Sequence, residues 1–350
     1  MSTAPFLFGW AVGGAHLKRA TIDATGRLVA VDMAACALWQ GLNRLDEALA
    51  ALPAMGTASL RTGRSFVTMT GELTDLWPDR ARGVAGLSEA LADRLGPDIA
   101  FYAGPDGFVP LSAAPSHADK IASANWHATA AALALTAPEG LMMDIGSTTT
   151  DIIRFSGGAV ASRGYSDAER LAAGELVYTG IARTPVMALA PHLPFRGVMV
   201  PLMMEYFATT ADIYRLTGEL PEHADLHPAA DGGPKTEEGS ARRLLRMVGR
   251  DLGPSTLAEA QALAAAAAEE QLHRLSRALA LVLSAAPMAV DAPVVGAGVG
   301  RFLVARLADR LDRPFADAGV LLADGTAHAV AAADCAPAVA VARIGASRIA

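Results

Sequence analysis

The chain has 350 residues, room for two domains of ordinary size, and 52% of them are apolar, enough for sizeable buried cores. A net charge of -7, with acids and bases interspersed, excludes a sequence-independent nucleic-acid binder, which needs a basic face. The two cysteines, Cys36 and Cys335, form neither a zinc-spaced pair nor a disulfide framework.

From the amino terminus, "FLFGWAVGG" reads as a strand and tight turn, "HLKRATID" as the returning strand, "ATGR" as a second turn and "LVAVDMAA" as a third strand. Helical patterns follow in "LNRLDEALAAL", in "VAGLSEALADRLG", which stops at Gly96, and in "ASANWHATAAALALTAP", which ends at Pro138. Then "GLMMDIGS", "TTTDIIRFSGG" and "AVASRGY" give strand, strand and strand again. The segment from Tyr165 to about Gly239 is rich in Pro, Gly, His and Asp and is read as functional. It is anchored by the well-patterned "MMEYFATTADIYRL", whose Met203 and Met204 are expected in the core. "ARRLLRMVGR" is read as a solvated helix face. The stretch from Ser255 to Pro287 is a long helix, with Thr256 and Glu259 spaced for a capping box. "APVVGAGVG" is a buried strand and glycine turn, and "RFLVARLADRL" a helix with Phe302, Leu303, Ala305, Leu307 and Leu311 on one side. Charge breaks every alanine-rich stretch before the roughly 18 apolar residues of a spanning helix. The amino terminus carries no secretory pattern, so a cytoplasmic protein without membrane contact is expected. Homo-oligomerisation stays open.

Two stretches repeat each other. Setting Ala11 of "GWAVGGAHLK" on Asp144 of "MDIGSTTTD" places Gly13 on Gly146, Gly14 on Ser147 and Lys18 on Asp151, with Gly26 one residue from Gly158. This is duplication of a supersecondary unit. A glycine-bearing hairpin lets backbone N–H groups approach phosphate oxygens. Gly13, Gly14 and Gly146 are therefore candidate diphosphate contacts, and the hydroxyls of Ser147, Thr148 and Thr149 add donors. Asp144, at a strand end, is placed to bind Mg²⁺ directly or through water. Gly296, Gly298 and Gly300 form a nucleotide-type glycine turn; its position after both hairpins fits an actin-like fold better than the start of a Rossmann unit.

The order hairpin, hairpin, glycine turn resembles the actin/Hsp70/sugar-kinase superfamily. More narrowly, "GWAVGGAHLK", "VTMTGELTDLW", "SANWHATA", "MDIGSTTTDII", "GELVYTGIARTPV", "ATTADIYRLTGELPEHADLHPAADGG" and "DCAPAVAVA" resemble hydantoinase A/oxoprolinase-type proteins of tetrahydromethanopterin-linked one-carbon pathways. The resemblance implies an α/β fold of two actin-like lobes, each ribonuclease H-like with a mixed sheet. The expected lobes are 1–135 and 136–350, with a substrate-binding insertion at about 165–250. Ala11 and Asp144 are expected to face each other across one cleft.

It also implies an activity: joining an aminomethyl-furan methyl diphosphate to γ-glutamyltyramine as an aryl ether, with release of pyrophosphate. Mg²⁺ is the expected cofactor; ATP is compatible but not required. Asp144 is the expected metal ligand, with Asp75 as a second. Lys18 and His16 are candidates for the diphosphate, and Glu72 for base or metal work. Asn125 and His127 are candidates for substrate and proton handling, although His127 also fits a satisfied core histidine. Asp225, His227 and Asp231 are candidates to close over substrate. The superfamily commonly carries an acid where this chain has Ala11, and alanine ligates no metal. Two other readings remain compatible: an ATP-dependent lactam hydrolase and a non-catalytic nucleotide sensor.

Overall fold

Strand β1 (Leu7–Val12) alternates large and small residues, and the alternation decides how it is covered. Phe8, Trp10 and Val12 enter a core with Leu45, Leu87 and Leu91, from the helices Asn43–Ala51 and Arg80–Leu95. On the opposite face Gly9 lies against the helix Ala336–Ser347; a Cβ there would stand 2.1 Å from the carbonyl oxygen of Ala338. β1 pairs antiparallel with β2 (His16–Ile22), which pairs antiparallel with β3 (Leu28–Ala35). On its other edge β1 runs parallel with β4 (Arg64–Met69), followed by β5 (Ile99–Tyr102) and β6 (Phe108–Pro110). The sheet order is β3-β2-β1-β4-β5-β6.

The computed structural model describes residues 6–53, 60–61, 63–254, 256–323 and 327–348. In the second sheet β7 (Glu139–Ile145) takes the place of β1 and β8 (Thr150–Ser156) that of β2. β9 (Ala159–Val160) and β10 (Leu176–Val177) both pair with β8. β11 (His192–Phe195) and β12 (Val198–Pro201) form a separate hairpin. β13 (Val294–Ala297) and β14 (Phe315–Asp317) complete the order β10-β8-β7-β13-β14. A first hairpin at the sheet centre, with later strands added on its far edge, occurs twice. The fold is an actin-like α/β fold with ribonuclease H-like mixed sheets.

The repeat extends to single bonds. Gly13 N–H donates to the His16 carbonyl at 2.9 Å, and Gly146 N–H to that of Thr149 at 2.9 Å. Gly26 and Gly158 both adopt left-handed backbone, with φ of 82° and 79°.

Contacts divide the chain into two compact units, and not at a single cut near residue 135. One unit holds residues 1–142, 153–169 and 316–350; the other holds 143–152 and 170–315. The carboxyl-terminal segment belongs with the first unit because its helix covers β1.

Other expectations need correction. "AVASRGY" gives only the two-residue β9. Met203 and Met204 are 46% and 74% exposed and lie in the connection after β12. The long helix spans Leu257–Ser284, and Ser255 lies outside the described residues. Its expected capping box does not form: Thr256 bonds Gly253, and Glu259 pairs with Arg196 at 2.9 Å. The capping box is instead at Thr209 and Asp212, opening the helix Thr210–Leu216. The buried stripe of the helix Arg301–Arg310 is Leu303, Val304, Leu307 and Ala308.

Candidate functional site

In the second unit the residues singled out by the repeat meet. Asp144 is the penultimate residue of β7 and is buried. The glycine turn after β13 rests on it: a Cβ on Gly298 would stand 2.4 Å from Asp144 Oδ1 and 2.4 Å from the Ile145 carbonyl oxygen. Gly300 N–H donates to that carbonyl at 2.8 Å. Asp144, the hairpin turn Gly146–Thr149 and the Gly296–Gly300 turn therefore form one assembly.

The hairpin turn is held from one side. Ile181 N–H donates to the Gly146 carbonyl at 3.0 Å, and Ala182 and Arg183 donate to that of Ser147 at 3.1 and 2.8 Å. A trans peptide sets its N–H opposite its C=O. The amides of Ser147 and Thr148 are accordingly directed away from the supporting loop, as a ligand oxygen requires. The Ser147 and Thr148 hydroxyl oxygens lie 3.4 Å apart beside them.

Gly180 makes this support close enough to work: a Cβ would stand 2.5 Å from Gly146 O, Ser147 C and Thr148 N. Thr184 Oγ1 accepts from Gly180 N–H at 2.8 Å. Fully buried Gln271, from the long helix, donates Nε2–H to Thr179 Oγ1 at 2.8 Å and to Gly180 O at 2.9 Å, and accepts from Tyr214 OH at 2.5 Å. Sequence reasoning missed Gly180, Thr184 and Gln271. The signal was "GELVYTGIARTPV" and one amide on the apolar face of an alanine-rich helix. Gln271→Leu keeps the volume and strips partners from buried hydroxyls, so it should destabilise the protein by about 2 kcal/mol. Urea denaturation gives the value; unchanged stability would show that Gln271 holds nothing.

The first unit builds its turn similarly. Leu38 N–H donates to Gly14 O at 3.0 Å and Cys36 N–H to Ala15 O at 2.8 Å, which directs the amides of Ala15 and His16 the opposite way. Thr70 and Thr74, also missed, flank the turn: Cβ atoms on Gly13 and Gly14 would lie 3.5 Å from Thr70 Oγ1 and 3.3 Å from Thr74 Cγ2. Between these threonines Glu72 is 1% exposed. Its Oε1 accepts from Ser123 N–H at 2.9 Å and Ser123 Oγ–H at 3.1 Å, while Oε2 is buried without a hydrogen-bond partner. Burial pushes this carboxyl up to about 7. Ser123 holds left-handed backbone, φ 54°, to deliver its N–H, and Asn125 begins the next helix, half-buried.

The remaining candidates are placed as follows. Asp75 is exposed. His16 is half-buried beside the first turn. Lys18 pairs with Ala11 across the hairpin, and its Nζ donates to the Asp334 carbonyl at 2.7 Å. His127 is buried among Tyr102, Trp126 and Tyr165; its Nδ1 lies 2.9 Å from Tyr102 OH, and burial lowers its pKa to about 4. That is how a satisfied core histidine sits.

The insertion's acids are engaged internally. Asp225 pairs with Arg215 at 2.6 Å, Asp231 with Arg243 at 3.1 Å, and Lys235 donates to the Asp225 and His227 carbonyls at 2.6 and 2.8 Å. Fully buried Arg243 also pairs with Asp212 at 2.7 Å. These bonds fasten the loop after Thr217 to the helix Glu237–Arg246.

Among the described residues no three His, Cys, Asp or Glu side chains converge as a metal cage. Mg²⁺ does not require one: it keeps several waters and takes one or two carboxylates plus substrate phosphates. Asp144 beside an amide-presenting turn fits that donor set. No helix among the described residues is long and apolar enough to cross a membrane.

A nucleotide-free structure of acetone carboxylase aligns at TM-score 0.52 and 11% identity, over 96% of this chain and 70% of that one, and shows the shared fold. The hydantoinase/oxoprolinase family model matches residues 64–346, most of the chain, which therefore belongs to the hydantoinase/oxoprolinase family. The chain is 32% identical over 186 residues to the (4-{4-[2-(gamma-L-glutamylamino)ethyl]phenoxymethyl}furan-2-yl)methanamine synthase of Methanocaldococcus jannaschii, covering 53% of this chain and 56% of that protein. A protein of the same name from Methanococcus vannielii is 36% identical over 112 residues, 32% of this chain and 50% of that protein. The chain spans about half the length of these curated relatives.

Proposed function

We propose that the protein is a transferase of methanofuran-type cofactor biosynthesis. It joins the methylene carbon of an aminomethyl-furan methyl diphosphate to the phenol oxygen of γ-glutamyltyramine or a close analogue. The C–O bond to diphosphate breaks with its electron pair leaving on the diphosphate, the aryl ether bond forms, and the phenol gives up its proton. The furan ring can carry positive charge at the methylene, so no strong protein nucleophile is needed.

The observation that supports this reading best is the Asp144–Gly298 contact beside a turn whose amides face outward. That arrangement suits a leaving diphosphate, whose growing charge is met by fixed backbone donors. Mg²⁺, when bound through Asp144, would neutralise part of that charge. Ser147, Thr148 and Thr149 would orient the diphosphate with their hydroxyls, and Gly13 and Gly14 give the first hairpin the same design. Glu72, held near neutrality, is the group best matched to receiving the phenol proton. The two relatives are named for a product in which a furan methylene is joined through oxygen to a glutamylaminoethyl-phenyl group, which supports this choice of organic partners.

The test is product chemistry: mass spectrometry after incubation with the furan diphosphate and γ-glutamyltyramine should show the ether, with pyrophosphate released only when both are present. Turnover of ATP with oxoproline and no ether would replace this reading with lactam hydrolysis. Asp144→Asn should weaken Mg²⁺-dependent pyrophosphate binding about tenfold, the loss typical of a disturbed metal site. Calorimetry giving equal affinities would exclude Asp144 as the ligand.

A further inference from the structure

The loop 179–184, which backs the Gly146–Thr149 turn, is itself held by two helices, and all of these parts lie within the second unit. The amides of Ala182 and Arg183 donate to the Ser147 carbonyl. The carbonyls of Ala182 and Thr184 accept from Ala211 N–H at 3.2 Å and from Thr210 N–H at 2.9 Å. Those two donors open the helix Thr210–Leu216. The loop is thus bonded to the turn through its N–H groups and to this helix through its carbonyls. Its beginning is held by Gln271, from the helix Leu257–Ser284. The Gly180 carbonyl can only accept, so the Gln271 Nε2 must face it, and Oε1 is left for the Tyr214 hydroxyl at 2.5 Å. Tyr214 belongs to the helix Thr210–Leu216, is fully buried, and meets the Phe302 ring edge-on at 5.3 Å. Its hydroxyl therefore locks the amide in the orientation that gives Gly180 a donor.

We propose that Tyr214 is a positioning residue for the diphosphate. Its hydroxyl fixes the Gln271 amide, the amide fixes Gly180 against the turn, and the turn keeps the Ser147 and Thr148 amides aimed at ligand oxygens. The assignment deepens the diphosphate reading above and rests on it. Tyr214 and Gln271 are fully buried and act through the turn, without touching the ligand. Gly180 makes the transfer direct: with no Cβ between it and the turn, a shift of its peptide is passed on to Ser147 and Thr148.

Isothermal calorimetry with Mg²⁺ and pyrophosphate tests this on the full chain, with urea denaturation of each variant alongside. Tyr214→Phe keeps the ring against Phe302 and removes one oxygen. It should weaken binding about fivefold, the equivalent of one hydrogen bond. Gln271→Leu should weaken it about tenfold, because both bonds to the loop are lost. The double variant should bind no worse than Gln271→Leu alone, since Tyr214 acts through that amide. Ser240→Ala is the control: it removes a different buried hydroxyl, which donates to Asp212 of the same helix at 2.7 Å. It should lose comparable stability and keep parent-like affinity. Parent-like binding by Tyr214→Phe, whatever its stability, makes Tyr214 structural only and overturns the assignment. An equal affinity loss in Ser240→Ala overturns it too, as does a double variant whose loss is the product of the two single losses. In each of these cases the diphosphate site stands. A parent that binds no Mg²⁺-pyrophosphate overturns both readings. Should Gln271→Leu fail to fold, Tyr214→Phe against Ser240→Ala decides.

Discussion

Gly298→Ala should lower the stability of the protein by about 2–5 kcal/mol and abolish pyrophosphate binding. Two effects add. Gly298 has φ 77°, a left-handed conformation that costs an L-residue about 1–2 kcal/mol. Its new Cβ would also meet Asp144 Oδ1 and the Ile145 carbonyl at 2.4 Å, so the strand end or the carboxylate must move. Overpacking of this kind typically costs about 1–3 kcal/mol. Gly157→Ala is the matched control: its φ is 62°, but a Cβ there meets nothing within 4 Å. Urea denaturation of both variants separates the backbone effect from the contact, and calorimetry reads the site. Equal losses in the two variants would mean that Gly298 does not hold Asp144 in place.

Glu72→Gln should flatten the dependence of stability on pH. Burial raises the Glu72 pKa from 4.5 to about 7, so the folded state prefers the protonated form. Between those values the native protein binds more protons than the unfolded chain, and stability falls as pH rises. The loss begins near 4.5, is complete above about 7, and amounts to about 3 kcal/mol. His127 works in the opposite sense: its pKa is lowered from 6.5 to about 4, and its contribution is lost as pH falls. That term is common to parent and variant and cancels in their difference. The parent should therefore lose about 2–3 kcal/mol relative to Glu72→Gln between pH 5 and pH 8. Parallel curves would mean that Glu72 is ionised in both states.

Much of this architecture was legible where the chain speaks locally. The strand ends at Val12, His16, Leu28 and Ala35 follow from alternation and from glycine-marked turns. The matching of Gly13 with Gly146 survives down to one hydrogen bond each. What was not legible depends on partners remote in sequence. Thr256 and Glu259 have capping-box spacing, but Glu259 is drawn to Arg196, 63 residues away. Glu72 reads in the sequence as a candidate for base or metal work; that it is buried and bonded by Ser123, 51 residues on, is not readable there. Asp225 and Asp231 look like ligand acids until Arg215 and Arg243 are seen to hold them. "DCAPAVAVA" is apolar, and nothing in it says that it enters a helix lying on β1.

That last placement has a consequence for biosynthesis. A ribosome delivers β1 at the beginning of this sequence and Ala336–Ser347 near its end. Until the helix emerges, the Gly9–Ala11 face of the central strand has no cover, and the first unit stays an unfinished intermediate with apolar surface open to solvent. Residues 143–152 and 170–315 have their partners in hand once residue 315 is made, before the helix Ala336–Ser347 begins. The two units are thus completed in the reverse of their order in the sequence, and the nascent chain is most exposed to misassociation at the strand that carries its first glycine turn.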